Sequence, residues 1–102
     1  MEMSKQVKIG GSVYRIEQVG NLNDDERVLF GHLNEWKKLI QINSDPCEQT
    51  QAQTLVHEIV HAMSNEYALE FNETTTERMA SAVYAFIKEN DWVILAIKKA
   101  GT

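Results

Sequence analysis

The sequence is poor in cysteine, proline and basic residues. Its 102 residues include one cysteine, one proline and ten lysines and arginines, against fifteen aspartates and glutamates. A single cysteine, Cys47, excludes an internal disulfide and a cysteine-based zinc cluster. The net charge of -5 argues against nucleic acid as a partner, because phosphate binding requires clustered lysine and arginine.

Long apolar runs are also missing. The longest, from Trp92 to Ile97, is far shorter than the roughly 20 residues that cross a bilayer, and no apolar segment follows the start. We therefore predict a cytoplasmic protein that does not bind membranes. The length and the ordinary composition, 43% hydrophobic and 25% charged, favour one globular domain over residues 1–102.

The first half of the chain has the patterns of β-strands. Residues 6–19 predict a hairpin, because alternating apolar residues flank the turn signal Gly10-Gly11. Two further extended stretches are expected at residues 29–36 and 38–42.

The second half has the patterns of helices. Asp45 is a suitable N-cap, followed by Pro46 at the first helical position and by Glu48, which can close a capping box. The helix is expected to continue to about Tyr67. Its core-facing stripe comprises Ala52, Leu55, Val56, Ile59, Val60, Met63 and Tyr67.

A second helix is expected at residues 74–89 and a short terminal one at residues 92–99. The apolar side of the second helix comprises Met79, Val83, Phe86 and Ile87. The predicted fold class is α+β, with a small N-terminal antiparallel sheet followed by two or three helices in a minimal zincin-like arrangement.

One motif has a specific chemical interpretation, His57-Glu58-Ile59-Val60-His61. Two histidines four positions apart stand on one face of a helix, with about 5–6 Å between their Cβ atoms, so both rings can bind one Zn²⁺. Glu58 flanks this face and can accept the proton of a zinc-bound water. The histidines lie opposite the apolar stripe, which argues against a role in the core.

A catalytic zinc needs a third protein ligand and an open fourth position. No histidine or cysteine follows His61, so the ligand is expected to be a carboxylate. The candidates are Glu66, Glu70, Glu73, Glu77, Glu89 and Asp91. Glu66 is disfavoured because it points toward the apolar side of its helix. Glu70 and Glu73 lie in the connection between the helices and remain candidates.

Glu77 is favoured, because it begins the second helix on a less apolar stripe that can face the histidine pair. The alternative is a capping box in which Glu77 turns back to the amide of Thr74.

Three other residues have weaker functional interpretations. Tyr84 shares the stripe of Glu77 and can donate to an oxyanion, although a packing role is more frequent for such a tyrosine. Cys47 is interpreted as structural, and the isolated His32 is expected to have no role.

The segments Thr54–Ala62 and Glu77–Ala80, with Phe86, resemble the gluzincin metallopeptidases, and more narrowly the small ImmA/IrrE-like peptidases of phages and integrated elements. The resemblance covers roughly residues 40 to 90. It implies a short sheet before the active-site helix, zinc ligands at His57, His61 and Glu77, and a base at Glu58.

The sequence therefore predicts a zinc-dependent metallopeptidase that hydrolyses a peptide or protein substrate. Two alternatives remain open. A catalytically silent, peptidase-like binding module is suggested by the small size, which leaves few residues to build a substrate cleft. A purely structural zinc site is less favoured, because closed sites usually draw on cysteine or more histidines.

Overall fold

The four strands of the N-terminal half form one mixed sheet. The structure is a computed structural model that describes residues 5–101. The predicted domain of residues 1–102 therefore extends beyond the described residues at both ends. The prediction that no apolar segment follows the start also falls partly on residues outside that range. The strands are β1 (Gln6–Ile9), β2 (Ser12–Val19), β3 (Gly31–Asn34) and β4 (Leu39–Asn43), in the order β1-β2-β4-β3.

The α+β class is confirmed, but the sheet is not antiparallel throughout. β1 with β2 and β3 with β4 pair antiparallel, whereas β2 and β4 are parallel. The chain crosses after β2 to form the far edge strand β3, and β4 then returns between β3 and β2. Alternation of apolar and polar residues predicts that strands form, but it does not predict which strands pair or in which direction.

The predicted hairpin is present and depends on two glycines. Gly10 and Gly11 have φ angles of 57° and 89° and form the two-residue turn between Ile9 and Ser12. Positive φ at both positions is what a type I′ hairpin turn requires. Gly10 is constrained further, because a Cβ atom there would lie 2.8 Å from Cβ of Glu66.

Three helices follow the sheet, as expected. They are α1 (Glu48–Glu66), α2 (Glu73–Glu89) and α3 (Asp91–Lys99). None of the helices in the described part of the chain is long and apolar enough to cross a membrane.

The prediction that Asp45 caps α1 is wrong. The N-cap is Cys47, whose side chain makes no capping hydrogen bond, and the Asp45 carboxylate instead accepts from the Asn21 amide at 3.1 Å. The Ser44 amide still donates to the Val19 carbonyl at 3.0 Å. The chain is therefore tied to β2 up to this point, which delays the start of the helix.

The core lies between the sheet and α1. Its fully buried side chains include Tyr14, Ile40 and Ile42 from the sheet and Ala62 from the helix. Leu55 and Ile59 of the predicted helical stripe pack against them.

The last part of the predicted stripe of α1 is less buried than expected. Met63 and Tyr67 are 41% and 61% exposed. α1 therefore meets the sheet along a face that includes Leu55, Ile59 and Ala62 and leaves out these two residues.

The C-terminal end of α1 is fixed to the sheet by Glu66. Its carboxylate accepts hydrogen bonds from the hydroxyls of Ser12 and Tyr14, and from the Lys38 ammonium at 2.9 Å. As predicted, Glu66 points away from the histidine pair. These hydrogen bonds, that of Tyr14 first, lower the pKa of Glu66 to about 2.

This contact predicts an acid-sensitive stability. A carboxyl whose folded pKa is about 2, against an ordinary value of 4.5, stabilises the fold above pH 4.5 and loses that contribution as the pH falls toward 2. We expect Glu66→Gln to lower the melting temperature at pH 7 by several degrees and to flatten its fall between pH 4.5 and 2. Calorimetry across that range measures both effects.

The exposed Glu70 provides the matched control. Glu70→Gln should leave the melting curve and its pH dependence close to those of the parent chain. A Glu66→Gln variant with unchanged acid sensitivity would contradict the assigned role.

α2 packs against α1 with small side chains and not with its apolar side. Its buried residues are Thr76 and Ala80. Of the predicted apolar side, Val83 is half-buried, whereas Met79, Phe86 and Ile87 are 42%, 49% and 38% exposed. Small residues allow two helices to approach closely. The stripe of α2 that faces α1 therefore contains Thr76. Glu73 belongs to the same stripe, because it lies three positions before Thr76, and Glu77 lies four positions after Glu73.

Candidate metal centre

α1 presents its two histidines side by side, on the side away from the core. The side chains of His57 and His61 are 25% and 27% exposed, and their ring centroids are 4.9 Å apart at an interplanar angle of 72°. One helical turn thus holds two imidazoles close enough to share a partner, as the motif predicted.

The chain then turns back sharply after α1. The amide of Leu69 donates to the Ser64 carbonyl and that of Ala68 to the Asn65 carbonyl, with Ala68 in the left-handed region at φ 54°. This is the Schellman arrangement of a helix C-terminus. The buried Ser64 hydroxyl also accepts from the Phe71 amide at 2.9 Å, so the connection is held against the helix it leaves.

Asn72 is the N-cap of α2, at the end of this turn. Its side-chain oxygen accepts a hydrogen bond from the Thr75 amide at 2.8 Å and so caps the helix. The capping-box alternative for Glu77, with Thr74 as the cap, is therefore wrong. Because Asn72 is the cap, Glu73 becomes the first residue of α2.

Glu73 contacts both histidines. Its Oε1 lies 3.0 Å from Nε2 of His57, and its Oε2 lies 2.9 Å from Nε2 of His61. One donor atom from each of the three residues lies within 4.8 Å of the others. Two imidazole nitrogens and a carboxylate that converge in this way are a donor set suited to a divalent metal such as Zn²⁺.

Glu77 lies one turn further along α2 and lines the same cleft, but the structure does not bring it to the histidine pair. Its assignment as a ligand stays a prediction from sequence. Of the other carboxylates considered, Glu70 is an exposed residue of the connection, Glu89 lines the far part of the cleft and Asp91 begins α3.

Glu58 is a buried carboxylate beside this centre. Only 7% of the residue is exposed, and it lines the cleft together with both histidines. Burial, and then the charge of nearby Glu73, raise its pKa from 4.5 to about 7. A carboxyl group with such a pKa can take up and release a proton near neutral pH.

Gly31 is a member of the site that the sequence analysis did not identify. It lies on β3, directly against α1, where a Cβ atom would come within 2.6 Å of Cγ2 of Thr54 and 3.0 Å of Oε2 of Glu58. Any larger residue would therefore push β3 away from α1 or displace the Glu58 carboxylate. A glycine inside a predicted extended stretch such as residues 29–36 is the available signal, because strand glycines often mark close approach of another element.

β3, α1 and α2 enclose a cleft of about 1410 Å³ around the centre. The half-buried Tyr84 lines it from α2 and the exposed His32 lines it from β3. Cys47 is exposed, and hydrogen bonding from Thr50 lowers the pKa of its thiol; Cys47 does not line the cleft.

Comparisons of the chain with models of protein families, with curated proteins and with solved structures give no match. The interpretation of the site therefore depends on the geometry and chemistry of its own residues.

Proposed function

We propose that the chain is a zinc-dependent peptidase in which His57, His61 and Glu73 hold the metal and Glu58 is the general base. The observation that carries the proposal is the grouping of one donor atom each from His57, His61 and Glu73 within 4.8 Å of one another, next to a buried carboxyl group. Three protein ligands would leave one coordination position open, which is typical of a catalytic rather than a structural zinc.

The donor set suits the metal in chemistry as well as in distance. Neutral imidazoles and a carboxylate are ordinary zinc ligands, although they also accept other divalent ions. Glu73 approaches both rings with its two oxygens and is itself 68% exposed, so the centre opens toward solvent on that side. When bound, the metal supplies Lewis acidity, which lowers the pKa of water and polarises a carbonyl group.

Glu58 is suited to move protons in peptide hydrolysis. In its ionised form the carboxylate accepts a proton from the attacking water while the water oxygen bonds to the substrate carbonyl carbon. The same carboxyl then gives that proton to the departing amine nitrogen as the C–N bond breaks. A pKa of about 7 permits both transfers near neutral pH, and a nearby divalent cation would favour the ionised form.

The cleft offers a place for an extended peptide. β3 is an edge strand whose only strand partner in the described sheet is β4. The backbone of an edge strand can pair with an added strand, and residues of β3 line the cleft beside both histidines. A peptide on this edge would have its backbone close to Glu58. A peptide bond is therefore the favoured substrate class.

Two acidic residues near the start of α2, Glu73 and Glu77, provide the test. We expect Glu73→Ala to weaken zinc binding by roughly a hundredfold and to abolish hydrolysis, because a metal ligand is lost. Glu77→Ala, one turn away in the same cleft, should change zinc affinity less than about threefold. Competition with a chromogenic chelator measures affinity, and a quenched fluorescent peptide library with added zinc measures hydrolysis.

If Glu73→Ala binds zinc as tightly as the parent chain and Glu77→Ala loses affinity, then Glu77 is the third ligand and the assignment of Glu73 is wrong. Normal zinc binding in the parent chain without cleavage of any library member would favour the silent binding module instead.

A further inference from the structure

α3 is an apolar helix that the other described residues leave largely uncovered. Its middle, from Trp92 to Ile97, consists of six consecutive apolar residues, yet no residue of the helix is buried. A helix that is apolar on all sides normally lies inside a protein. Within the described residues the main packing partner of α3 is α2, and Val93 is its one half-buried side chain.

Exposed apolar residues also lie in the last turns of α2, directly before α3 in the chain. We define the outer apolar surface as Phe86, Ile87, Trp92, Ile94 and Leu95, which are between 38% and 64% exposed. Together these residues expose roughly 550 Å², which is about two thirds of the area of about 800 Å² that each partner buries in a stable protein interface.

The charges of α3 indicate which partner fits. Asp91 lies in its first turn and Lys98 in its last, and both share one stripe with Leu95 at spacings of four and three residues. If a second copy of α3 lies antiparallel on this stripe, each Asp91 meets Lys98 of the partner subunit. A parallel copy would instead place like charges together.

We propose that a second copy of this chain covers the outer apolar surface and forms a twofold symmetric dimer with antiparallel α3 helices. The twofold axis passes close to Leu95, so that the same patch is used on both subunits, as an isologous interface requires. None of these five residues lines the cleft, so the dimer leaves both metal centres accessible. The inference does not depend on the proposed function.

The first test is the mass in solution. We expect sedimentation equilibrium of the full chain to give twice the 11.7 kDa of the monomer. Leu95→Asp should raise the dimer dissociation constant by roughly a hundredfold, because each twofold interface contains the change twice. Circular dichroism should show that the helices of this variant persist.

Two tryptophans give a matched control. Trp92 belongs to the outer apolar surface, whereas Trp36, 98% exposed, lies in the turn between β3 and β4. We expect Trp92→Ala to weaken the dimer and Trp36→Ala to leave it unchanged. A parent chain that stays monomeric at its highest soluble concentration, or a dimer that tolerates both Leu95→Asp and Trp92→Ala, would overturn the proposal.

Charge exchange tests the antiparallel orientation. Asp91→Lys alone should weaken the dimer by roughly tenfold, because lysines then face each other at both ends. Adding Lys98→Asp to the same chain restores opposite charges only if the helices are antiparallel. Failure of the double variant to regain the parent affinity, with its helix content intact, would refute this orientation.

Discussion

Replacement of Glu58 by glutamine is expected to lower peptide hydrolysis by roughly a thousandfold while zinc stays bound. The amide occupies the same volume but cannot accept the proton of the attacking water, and a positioned base contributes about 10²–10⁴ in rate. His57, His61 and Glu73 are unchanged in this variant, so its zinc content should equal that of the parent chain. Elemental analysis and cleavage of the peptide library measure the two quantities.

Stability provides a second readout for the same variant. Glu58 has a folded pKa of about 7 against an ordinary 4.5, so the folded state holds a proton that the unfolded chain releases within this window. In the metal-free protein, stability therefore falls as the pH rises from 4.5 to 7 and stays lower above it. Glutamine cannot ionise, so Glu58→Gln should be more stable than the parent at pH 8, by about 1–3 kcal/mol.

These two effects have opposite directions, which separates a lost base from a damaged fold. A variant that is inactive and also less stable at pH 8 would indicate disturbed packing. Full activity in Glu58→Gln would remove the base assignment altogether.

Replacement of His57 by alanine is expected to weaken zinc binding by roughly a thousandfold and to eliminate hydrolysis. Loss of an indirect partner of a metal ligand already costs 10–100-fold in affinity, and His57 is proposed to contact the metal itself. Isothermal titration with zinc chloride measures the affinity. His57 is partly exposed and lies away from the core, so the fold should persist without it.

His32 is the matched control for this experiment. It is a histidine that lines the same cleft, but it is exposed and does not belong to the converging group. His32→Ala should retain the parent affinity for zinc. Comparable losses in the two variants would point to a different set of ligands.

The sequence predicts the helices of this protein better than its sheet. Apolar spacing and the polar connections locate all three helices within a few residues, because helical contacts are local in sequence. The parallel pairing of β2 with β4 depends on where the chain crosses between residues 19 and 31, and alternation of side chains is the same for parallel and antiparallel neighbours. The helix start at Glu48 instead of near Asp45 has a similar cause, a hydrogen bond to Asn21 that lies far away in sequence.

The same distinction applies to the site. His57, Glu58 and His61 follow from one motif on one helix, and the structure places the two rings together as expected. The third carboxylate depends on how the chain turns between Glu66 and Asn72. Asn72 is a stronger N-cap than Thr74. A helix that begins after Asn72 has Glu73 in its first turn, so this cap preference favours Glu73 over Glu77 as the third ligand.

The small residues between α1 and α2 have a consequence for the proposed ligand set. His57 and His61 belong to α1, whereas Glu73 belongs to α2, and the distance between the two helix axes is governed by side chains such as Ala80. A bulkier residue at position 80 would widen the gap and draw the carboxylate away from the imidazoles. Affinity for the ion would thus be tuned by the volume of a methyl group that offers no donor atom.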